Sequence, residues 1–301
     1  MSAVRGADES LVETLTYWGY RAVQRLAATL PESIGRALFE FGGRIAFAIA
    51  AERRTNVLAN LARILGRDPQ DALVRATAIE AFELYARYWF DAFRAPVMPT
   101  SDVDARIDAA GLERIDAALA RGKGCVVALG HLGNPDVAAS WAARQGYPIA
   151  AVAERLRPER LFDLFRSQRT RYGLTIIGTG DPTLKQALAD QLRNNGVVAL
   201  AADRDLSGRG TPVEMFGATR TLPTGPAMLA LANDAPLHFL AISTTDRGWR
   251  LRLGPALEVE RTDDLRADVR ALTQRLAREF ERAIAANPAD WHVLQPGWPA
   301  R

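Results

Sequence analysis

The chain has 301 residues, 48% of them hydrophobic, and a formal net charge of +3. This length and composition predict a well-cored globular protein, either one large domain or a domain with an appendage, and exclude extended disorder. Basic and acidic residues are mixed along the chain, so the slight positive excess is no nucleic-acid signature and we expect no nucleic-acid partner.

The sequence predicts neither a targeting segment nor a covalent crosslink. Residues 1–10 are polar and lack the apolar segment of a signal peptide. The longest apolar stretch, 37–51, is interrupted by Glu40 and Arg44, so no run reaches the length of a transmembrane helix. The single cysteine, Cys125, excludes an internal disulfide and a cysteine-based zinc site, and its apolar surroundings are typical of a buried residue.

The first third of the chain is predicted to be helical. Apolar residues from Leu11 to Leu26 recur at helical spacing until Pro31, where a second helix begins and carries an apolar face from Ile34 to Ala48. Two more helices are predicted at about 53–65 and 69–95.

The apolar faces of the first two helices have two interpretations, and the sequence alone leaves both open. They are typical of helices that pack on a core. Aromatic residues flanked by arginines are also typical of helices that lie in a lipid interface. These residues are Tyr17, Trp18, Phe39 and Phe41, with Arg21, Arg25 and Arg36. The division we predict is an N-terminal helical, membrane-associating region over 1–104 and an α/β core over 105–301, within one continuous domain.

From about residue 105 the pattern alternates between short apolar strands and helices. Strands are predicted at Cys125–Leu129, Ile149–Ala153, 174–177, Val197–Ala201, 237–243 and 249–253. Helices are predicted at 112–120, Pro135–Arg144, 158–172, 182–194, 224–233 and 263–286. This alternation predicts an α/β fold with a central, mostly parallel β-sheet flanked by helices.

The stretch Val-Val-Ala-Leu-Gly-His-Leu-Gly-Asn-Pro-Asp at 126–136 contains the best candidate for chemistry. His131 follows a predicted strand and Gly130, and histidine is the side chain best suited to accept a proton near neutral pH. Asn134 is a favoured cap for a helix starting at Pro135. Asp136 then lies in the first turn of that helix, from which it can point back at His131 and stabilise the imidazolium.

Other polar residues also follow predicted strands directly. Glu154 ends the strand after His131, and Asp203, Arg204 and Asp205 follow the strand 197–201. Because functional groups of parallel sheets gather beyond the carboxyl ends of the strands, we expect these residues to share one site with His131. The two aspartates and the arginine can bind a metal, orient the histidine or form a local ion pair. We favour support of His131, since no familiar metal-ligand spacing is present.

The remaining candidates have weaker signals. The arginines after Glu154, and Arg209 in the glycine-bearing loop 206–211, form either a solvated basic face or a phosphate-binding patch. Arg166, Arg169 and Arg171 belong to this set. His238, inside an apolar strand, and His292, near two tryptophans, are interpreted as structural.

These motifs together resemble a known family. The Gly-His-x-x-x-x-Asp arrangement resembles the HX4D/E motif of glycerolipid-type acyltransferases, although the Phe-Pro-Glu-Gly-Thr-Arg-like block of the glycerophosphate branch is absent. Over about residues 10–298 the chain resembles the lipid A biosynthesis (lauroyl/myristoyl) acyltransferase family. Within that family it is most similar to the actinobacterial phosphatidylinositol mannoside acyltransferases. The motifs that carry this similarity lie at 54–61, 153–159, 202–206, 213–217 and 287–291. Two departures are Pro135, where many relatives have Trp, and the aspartates at 136 and 205, where some have Glu.

The resemblance implies a reaction and a place for it. A fatty acyl group moves from acyl-CoA, a co-substrate with no further cofactor, to a mannose hydroxyl of a mannosylated phosphatidylinositol. The enzyme is then peripheral, on the cytoplasmic face of the cell membrane. Acceptors of the lipid A type, a thioesterase or esterase activity, and a non-catalytic lipid-binding protein are the alternatives. The acyl chain length, the choice between CoA and a carrier protein, and the oligomeric state stay open.

Roles for the site residues follow from the same resemblance. His131 acts as general base, with Asp136, Asp205 or both orienting its ring, and Glu154 lies in the same site. Substrate binding is assigned to Arg169, Arg204, Arg209, Asp203 and Glu214, and no metal is expected. Apolar residues near Met215 and Phe216 line an acyl groove.

Overall fold

The N-terminal third of the computed structural model is a layer of four helices. The structure describes residues 10–205 and 208–299, so most of the polar stretch at 1–10 and residues 206–207 of the glycine loop lie outside it. The helices are α1 (Leu11–Thr29), α2 (Glu32–Ile49), α3 (Ala51–Leu65) and α4 (Ala72–Arg94). All four predicted helices are confirmed. The fourth begins three residues later than predicted because the Asp71 carboxylate caps it by accepting the Leu73 N–H.

A seven-stranded sheet with flanking helices forms the rest of the chain and confirms the predicted fold class. Its seven strands are β1 (Ile107–Ala110), β2 (Cys125–Leu129), β3 (Ile149–Ala153), β4 (Thr175–Gly178), β5 (Val197–Ala201), β8 (Leu237–Thr244) and β9 (Trp249–Ala256). Two further strands, β6 (Thr211–Met215) and β7 (Ala218–Leu222), form a separate two-stranded sheet. The helices are α5 (Thr100–Asp104), α6 (Glu113–Ala120), α7 (Pro135–Arg144), α8 (Glu159–Arg171), α9 (Leu184–Arg193), α10 (Gly225–Ala232) and α11 (Leu265–Ala286), with 3-10 turns at Ala95–Val97 and Pro288–Asp290.

The sheet order places β2 at the centre. The order is β1-β9-β8-β2-β5-β3-β4, and every neighbouring pair is parallel except β8 with β9. All five residues of β2 are buried, as a strand covered on both faces requires. Because β2, β5 and β3 are adjacent and parallel, the residues that follow them emerge at one edge of the sheet.

The β6–β7 hairpin, the strand β1 and the one-turn helix α5 are absent from the predicted elements. The stretch after the glycine loop, for which no element is predicted, forms a hairpin of β6 and β7, with Thr211, Val213 and Met215 buried and alternating with exposed residues. The hairpin packs on α11, where Gln274 binds the backbone N–H and carbonyl of Glu214. The short strand β1 also escapes prediction because it is only four residues long and half exposed.

The helical layer contacts the α/β core through α4 and the C-terminal segment 287–298. The Asn134 amide donates to the Tyr88 carbonyl of α4 at 3.2 Å. In α3, the Asn60 amide donates to the carbonyls of Val293 and Gln295, and its oxygen accepts the Gly297 N–H at 2.8 Å. None of the described helices combines the length and apolar character needed to cross a membrane.

Candidate active site

His131 lies at the carboxyl end of the central strand. Gly130 separates it from β2, and a Cβ at position 130 would come within 2.9 Å of the Phe280 ring and 3.4 Å of the Asp203 carboxylate. Glycine suits this position because a side chain would crowd the Phe280 ring. The turn continues through Gly133, whose φ of +57° suits glycine, and Asn134 then caps α7 by accepting the Val137 N–H at 3.1 Å.

The carboxylate that holds the His131 ring is Asp203, which follows the neighbouring strand β5. Its Oδ1 lies 2.7 Å from His131 Nδ1, and its Oδ2 accepts the His131 backbone N–H at 3.0 Å. The Asp203 side chain is only 1% exposed, whereas that of His131 is 39% exposed. The carboxylate beside the imidazole is therefore Asp203, and not Asp136 or Asp205 as the family resemblance implied; that resemblance gave Asp203 to substrate binding, whereas its place after β5 favoured support of His131.

The charges of the two partners shift their pKa values in opposite directions. The Asp203 carboxylate raises the pKa of His131. Burial opposes ionisation of Asp203, but the imidazole and the donated hydrogen bonds prevail and hold its pKa well below its usual range. An ionised Asp203 at Nδ1 fixes the tautomer in which neutral His131 carries its proton there. Nε2 is then a proton acceptor, with no hydrogen-bond partner among the described residues.

Two further side chains enclose Asp203. The Trp291 indole N–H donates to Asp203 Oδ2 at 2.9 Å, and Arg220 donates to the Asp203 carbonyl at 2.7 Å. The Arg220 guanidinium lies over the rings of Trp291 and Trp298, at 5.5 and 5.1 Å from their centroids. A buried carboxylate is tolerated here because its oxygens are met by donors.

Asp136, the acid of the His-x4-Asp motif, belongs to a separate buried network. Its two oxygens accept the Tyr88 hydroxyl and Arg169 Nε, each at 2.7 Å. Burial raises the pKa of Asp136, but the nearby Arg169 charge and these hydrogen bonds outweigh burial and hold it below its usual value. The network joins α4, α7 and α8 beside His131. Arg169, expected to bind substrate, is thus engaged with Asp136.

Replacing Arg169 with Met is expected to destabilise the protein at neutral pH by about 2–3 kcal/mol, somewhat less than breaking a fully buried ion pair. The folded-state pKa of Asp136 is depressed, so this stability is present above the unfolded pKa near 4 and is lost as pH falls through the folded value. Urea unfolding from pH 7 down to pH 3 would measure it.

The control for this prediction is Arg166→Met, because Arg166 pairs with Asp163 on the exposed side of the same helix, α8. An exposed pair of this kind is expected to contribute about 0–1 kcal/mol. Equal losses in the two variants at pH 7 would contradict a structural role for the Arg169–Asp136 pair.

Glu154 and Arg204 lie within electrostatic range of the histidine. Both influence the pKa of His131, Glu154 raising it and Arg204 lowering it, after the larger effects of Asp203. Glu154 is exposed directly after β3 and Arg204 is half-buried after β5. The structure therefore brings both of these predicted residues to the edge that carries His131.

Asp205 and Glu214 make hydrogen bonds of their own away from the His131 ring. Asp205 Oδ2 accepts the Gly210 N–H at 2.7 Å and so shapes the glycine loop, and Arg209 is exposed on that loop. The Glu214 carboxylate accepts the Thr219 hydroxyl across its own hairpin. The Glu214 carboxylate thus has a hydrogen-bond donor within its own hairpin.

The other histidines and the cysteine have structural surroundings. His238 Nδ1 lies 3.0 Å from the Gly254 carbonyl, and His292 Nε2 lies 3.0 Å from the Gly133 carbonyl. Burial lowers the pKa of His292 to about 4, so this ring is neutral. Burial raises the pKa of the Cys125 thiol to about 12, which leaves it protonated and a poor nucleophile. No group of three or more His, Cys, Asp or Glu suited to a metal ion occurs among residues 10–205 and 208–299.

Sequence reasoning missed Tyr88, Arg220 and the indole of Trp291. Tyr88 and Arg220 carry no local signal, since polar residues are common along α4 and the hairpin of β6 and β7. Trp291 lies in the Asn-Pro-Ala-Asp-Trp motif at 287–291, which carries part of the family resemblance. Its distance of 88 residues from Asp203 hides the contact.

The fold places a histidine–carboxylate pair at the carboxyl edge of a mostly parallel α/β sheet, an arrangement suited to proton transfer. The model of the family described as bacterial lipid A biosynthesis acyltransferase matches residues 7–299 of this chain. The chain belongs to that family, and it is an acyltransferase.

Curated relatives are similar over nearly the whole chain. It is 38% identical over 295 residues to the phosphatidylinositol mannoside acyltransferase of Mycobacterium tuberculosis (strain CDC 1551 / Oshkosh), covering 97% of this chain and 91% of that protein. It is 36% identical over 291 residues to the protein of the same name from Mycolicibacterium smegmatis, covering 95% of this chain and 92% of that protein.

Proposed function

We propose that this acyltransferase moves a fatty acyl group from acyl-CoA to a mannose hydroxyl of a phosphatidylinositol mannoside, with His131 as general base. The acceptor class is supported by the names of relatives that are 36–38% identical over nearly the whole chain. The catalytic role of His131 is supported by the surroundings of its imidazole ring. Its Nδ1 is held by a buried carboxylate at 2.7 Å while the side chain stays 39% exposed.

The proposed chemistry is a direct transfer in which His131 Nε2 moves one proton. Nε2 takes the proton of the mannose hydroxyl as the oxygen attacks the thioester carbonyl, and the ionised Asp203 stabilises the imidazolium. Collapse of the tetrahedral intermediate breaks the carbon–sulfur bond, and the CoA thiolate receives the proton from Nε2. An acyl-enzyme is not invoked, because no serine, threonine or cysteine among the described residues hydrogen-bonds the His131 ring.

Charged residues around His131 suit the two substrates. Arg204 and Arg209, on the segment after β5, are proposed to hold phosphates of the donor, since arginine binds phosphate oxygens in a fork. Glu154 is proposed to order a sugar hydroxyl beside His131. Arg169 and Asp136 are proposed to hold α7 and α8 in place rather than to bind substrate.

We infer that α1 and α2 rest on the cytoplasmic face of the membrane that contains the acceptor. Both helices expose a row of large apolar side chains, unusual for a face in water. On α2 the row is Ile34, Leu38, Phe41, Ile45 and Ile49, and on α1 it includes Leu11, Leu15, Trp18 and Leu26. Arg21 and Arg25 on α1 are suited to anionic headgroups. Acyl-CoA would be drawn from the cytoplasm.

A double replacement, Phe41→Glu with Ile45→Glu, is expected to reduce co-flotation with anionic phospholipid vesicles by about tenfold or more, because two exposed apolar anchors on α2 become charged. The matched control is Leu265→Glu on α11, where the side chain is similarly exposed. Flotation of the double variant at the level of the control would contradict the assignment of this face. Circular dichroism checks that both proteins are folded.

The test of the proposed function offers several acceptors side by side. The enzyme is given acyl-CoA with mannosylated phosphatidylinositol, a lipid A precursor or a lysophospholipid, and products are followed by mass spectrometry. We expect acylation of the mannosylated lipid. Transfer to another acceptor alone, release of free fatty acid regardless of acceptor, or lipid binding without turnover would each overturn the proposal.

A further inference from the structure

The Asp203 carboxylate is held by more than the histidine that it serves. Oδ1 faces His131 Nδ1, while Oδ2 accepts two N–H groups, the His131 backbone amide at 3.0 Å and the Trp291 indole at 2.9 Å. Two donors on one oxygen fix the plane of the carboxylate, so the other oxygen is presented to the imidazole.

Trp291 is itself fixed by the C-terminal segment that runs along the catalytic turn. The His292 N–H donates to the His131 carbonyl at 2.7 Å, and the Gly133 N–H donates to the Asp290 carbonyl at 3.2 Å. Trp291 is buried, with the Arg220 guanidinium over its ring. The indole N–H therefore has a set direction, toward Asp203.

We propose that Trp291 is a positioning residue for acyl transfer: its indole N–H fixes the Asp203 carboxylate and so sets the orientation of the His131 ring. This inference rests on the proposed function, in which His131 is the base. Trp291 is not expected to touch substrate, so its loss should lower kcat and leave KM nearly unchanged.

The chain offers a matched control in Trp298. Its indole is also buried and also lies against Arg220, but its N–H donates to the Met215 carbonyl at 3.1 Å rather than to Asp203. Trp291→Phe and Trp298→Phe therefore each remove one buried indole hydrogen bond, and only the first of these bonds reaches the catalytic carboxylate.

Kinetics give the first measurement. Trp291→Phe is expected to lower kcat by about tenfold or more, the scale of one hydrogen bond to a charged group, with KM changed less than about threefold. Trp298→Phe is expected to keep kcat within about threefold. Equal losses of kcat in both variants would overturn the proposal, because they would show that Trp291 acts only through packing.

A second measurement needs no turnover. The chain has three histidines, so the imidazoles of isotopically labelled protein give few NMR signals to titrate. Removing a donor from Asp203 leaves more of its negative charge to act on the imidazolium, so Trp291→Phe should raise the pKa of His131 by about half a unit to one unit. Trp298→Phe should leave the pKa of His131 unchanged. An unmoved His131 titration in Trp291→Phe would overturn the inference.

This readout also separates the inference from the function on which it rests. If His131→Ala kept full acyl transfer, the base assignment would fail whatever Trp291 does to the titration. If Trp291→Phe does not fold, replacing Trp291 alone with benzothienylalanine keeps the bicyclic shape and substitutes sulfur for the indole N–H. The same kinetic loss and titration shift are expected there, and their absence in the folded protein would overturn the proposal.

Discussion

Alanine at position 131 is expected to lower the rate of acyl transfer by about 10²–10⁴-fold, the range that general-base catalysis contributes. The loss should appear in kcat, because the imidazole acts on the proton that moves in the transition state. Initial rates of acylation of the mannosylated lipid, measured by mass spectrometry at saturating acyl-CoA, would check this. Folding should persist, since the His131 side chain is more than a third exposed and its ring is held by Asp203 alone among the described side chains.

The matched control for His131→Ala is His238→Gln. His238 lies in the interior of β8, where its ring faces the Gly254 carbonyl rather than the carboxyl edge of the sheet. We expect acyl transfer by this variant to stay within a few-fold of the wild-type rate. Rates for His131→Ala close to those of His238→Gln would exclude His131 as the base.

Asp203→Asn is expected to produce the second-largest loss, about 10²–10³-fold in kcat, because an uncharged amide no longer stabilises the imidazolium. The sign of the pH effect follows from the pKa shift. Asp203 raises the pKa of His131, so its neutralisation lowers that pKa and moves the acidic limb of the pH–rate profile to lower pH. This is opposite to the shift expected for Trp291→Phe, which keeps the charge and removes a donor.

The comparison for Asp203→Asn is Asp136→Asn. Asp136 is bound to Tyr88 and Arg169 and makes no hydrogen bond to His131, so its loss should weaken stability more than it moves the acidic limb. If the acidic limb of the pH–rate profile moved further in Asp136→Asn than in Asp203→Asn, Asp136, the acid of the His-x4-Asp motif, would be the residue that holds His131.

Sequence patterns predicted the layer structure and the edge of the sheet at which the site lies. The buried strands β2 and β5 are short apolar runs, and residues that follow parallel strands must meet at one edge, which brings His131 and Asp203 together. The choice among nearby acids could not be predicted. Asp203 and Asp205 are two residues apart in a loop, and the backbone turn that buries one and directs the other to Gly210 has no periodic signature.

Contacts between distant parts of the chain were also beyond prediction. The Trp291 indole reaches Asp203 only because the C-terminal segment returns across the sheet, where Leu132 and Trp291 form a β-bridge. The β6–β7 hairpin was missed because its alternation spans five residues beside a glycine loop, and its stability comes from packing on α11.

The central claim is that His131, held by Asp203, is the base in acyl transfer. The most direct test compares two values for the same wild-type protein, the acidic pKa in the pH dependence of kcat/KM and the pKa of the His131 imidazole titrated by NMR. The two should coincide and lie above the usual histidine value, since Asp203 raises the pKa of His131. A kinetic limb that does not follow the His131 titration, or a rate without an acidic limb, would contradict the account.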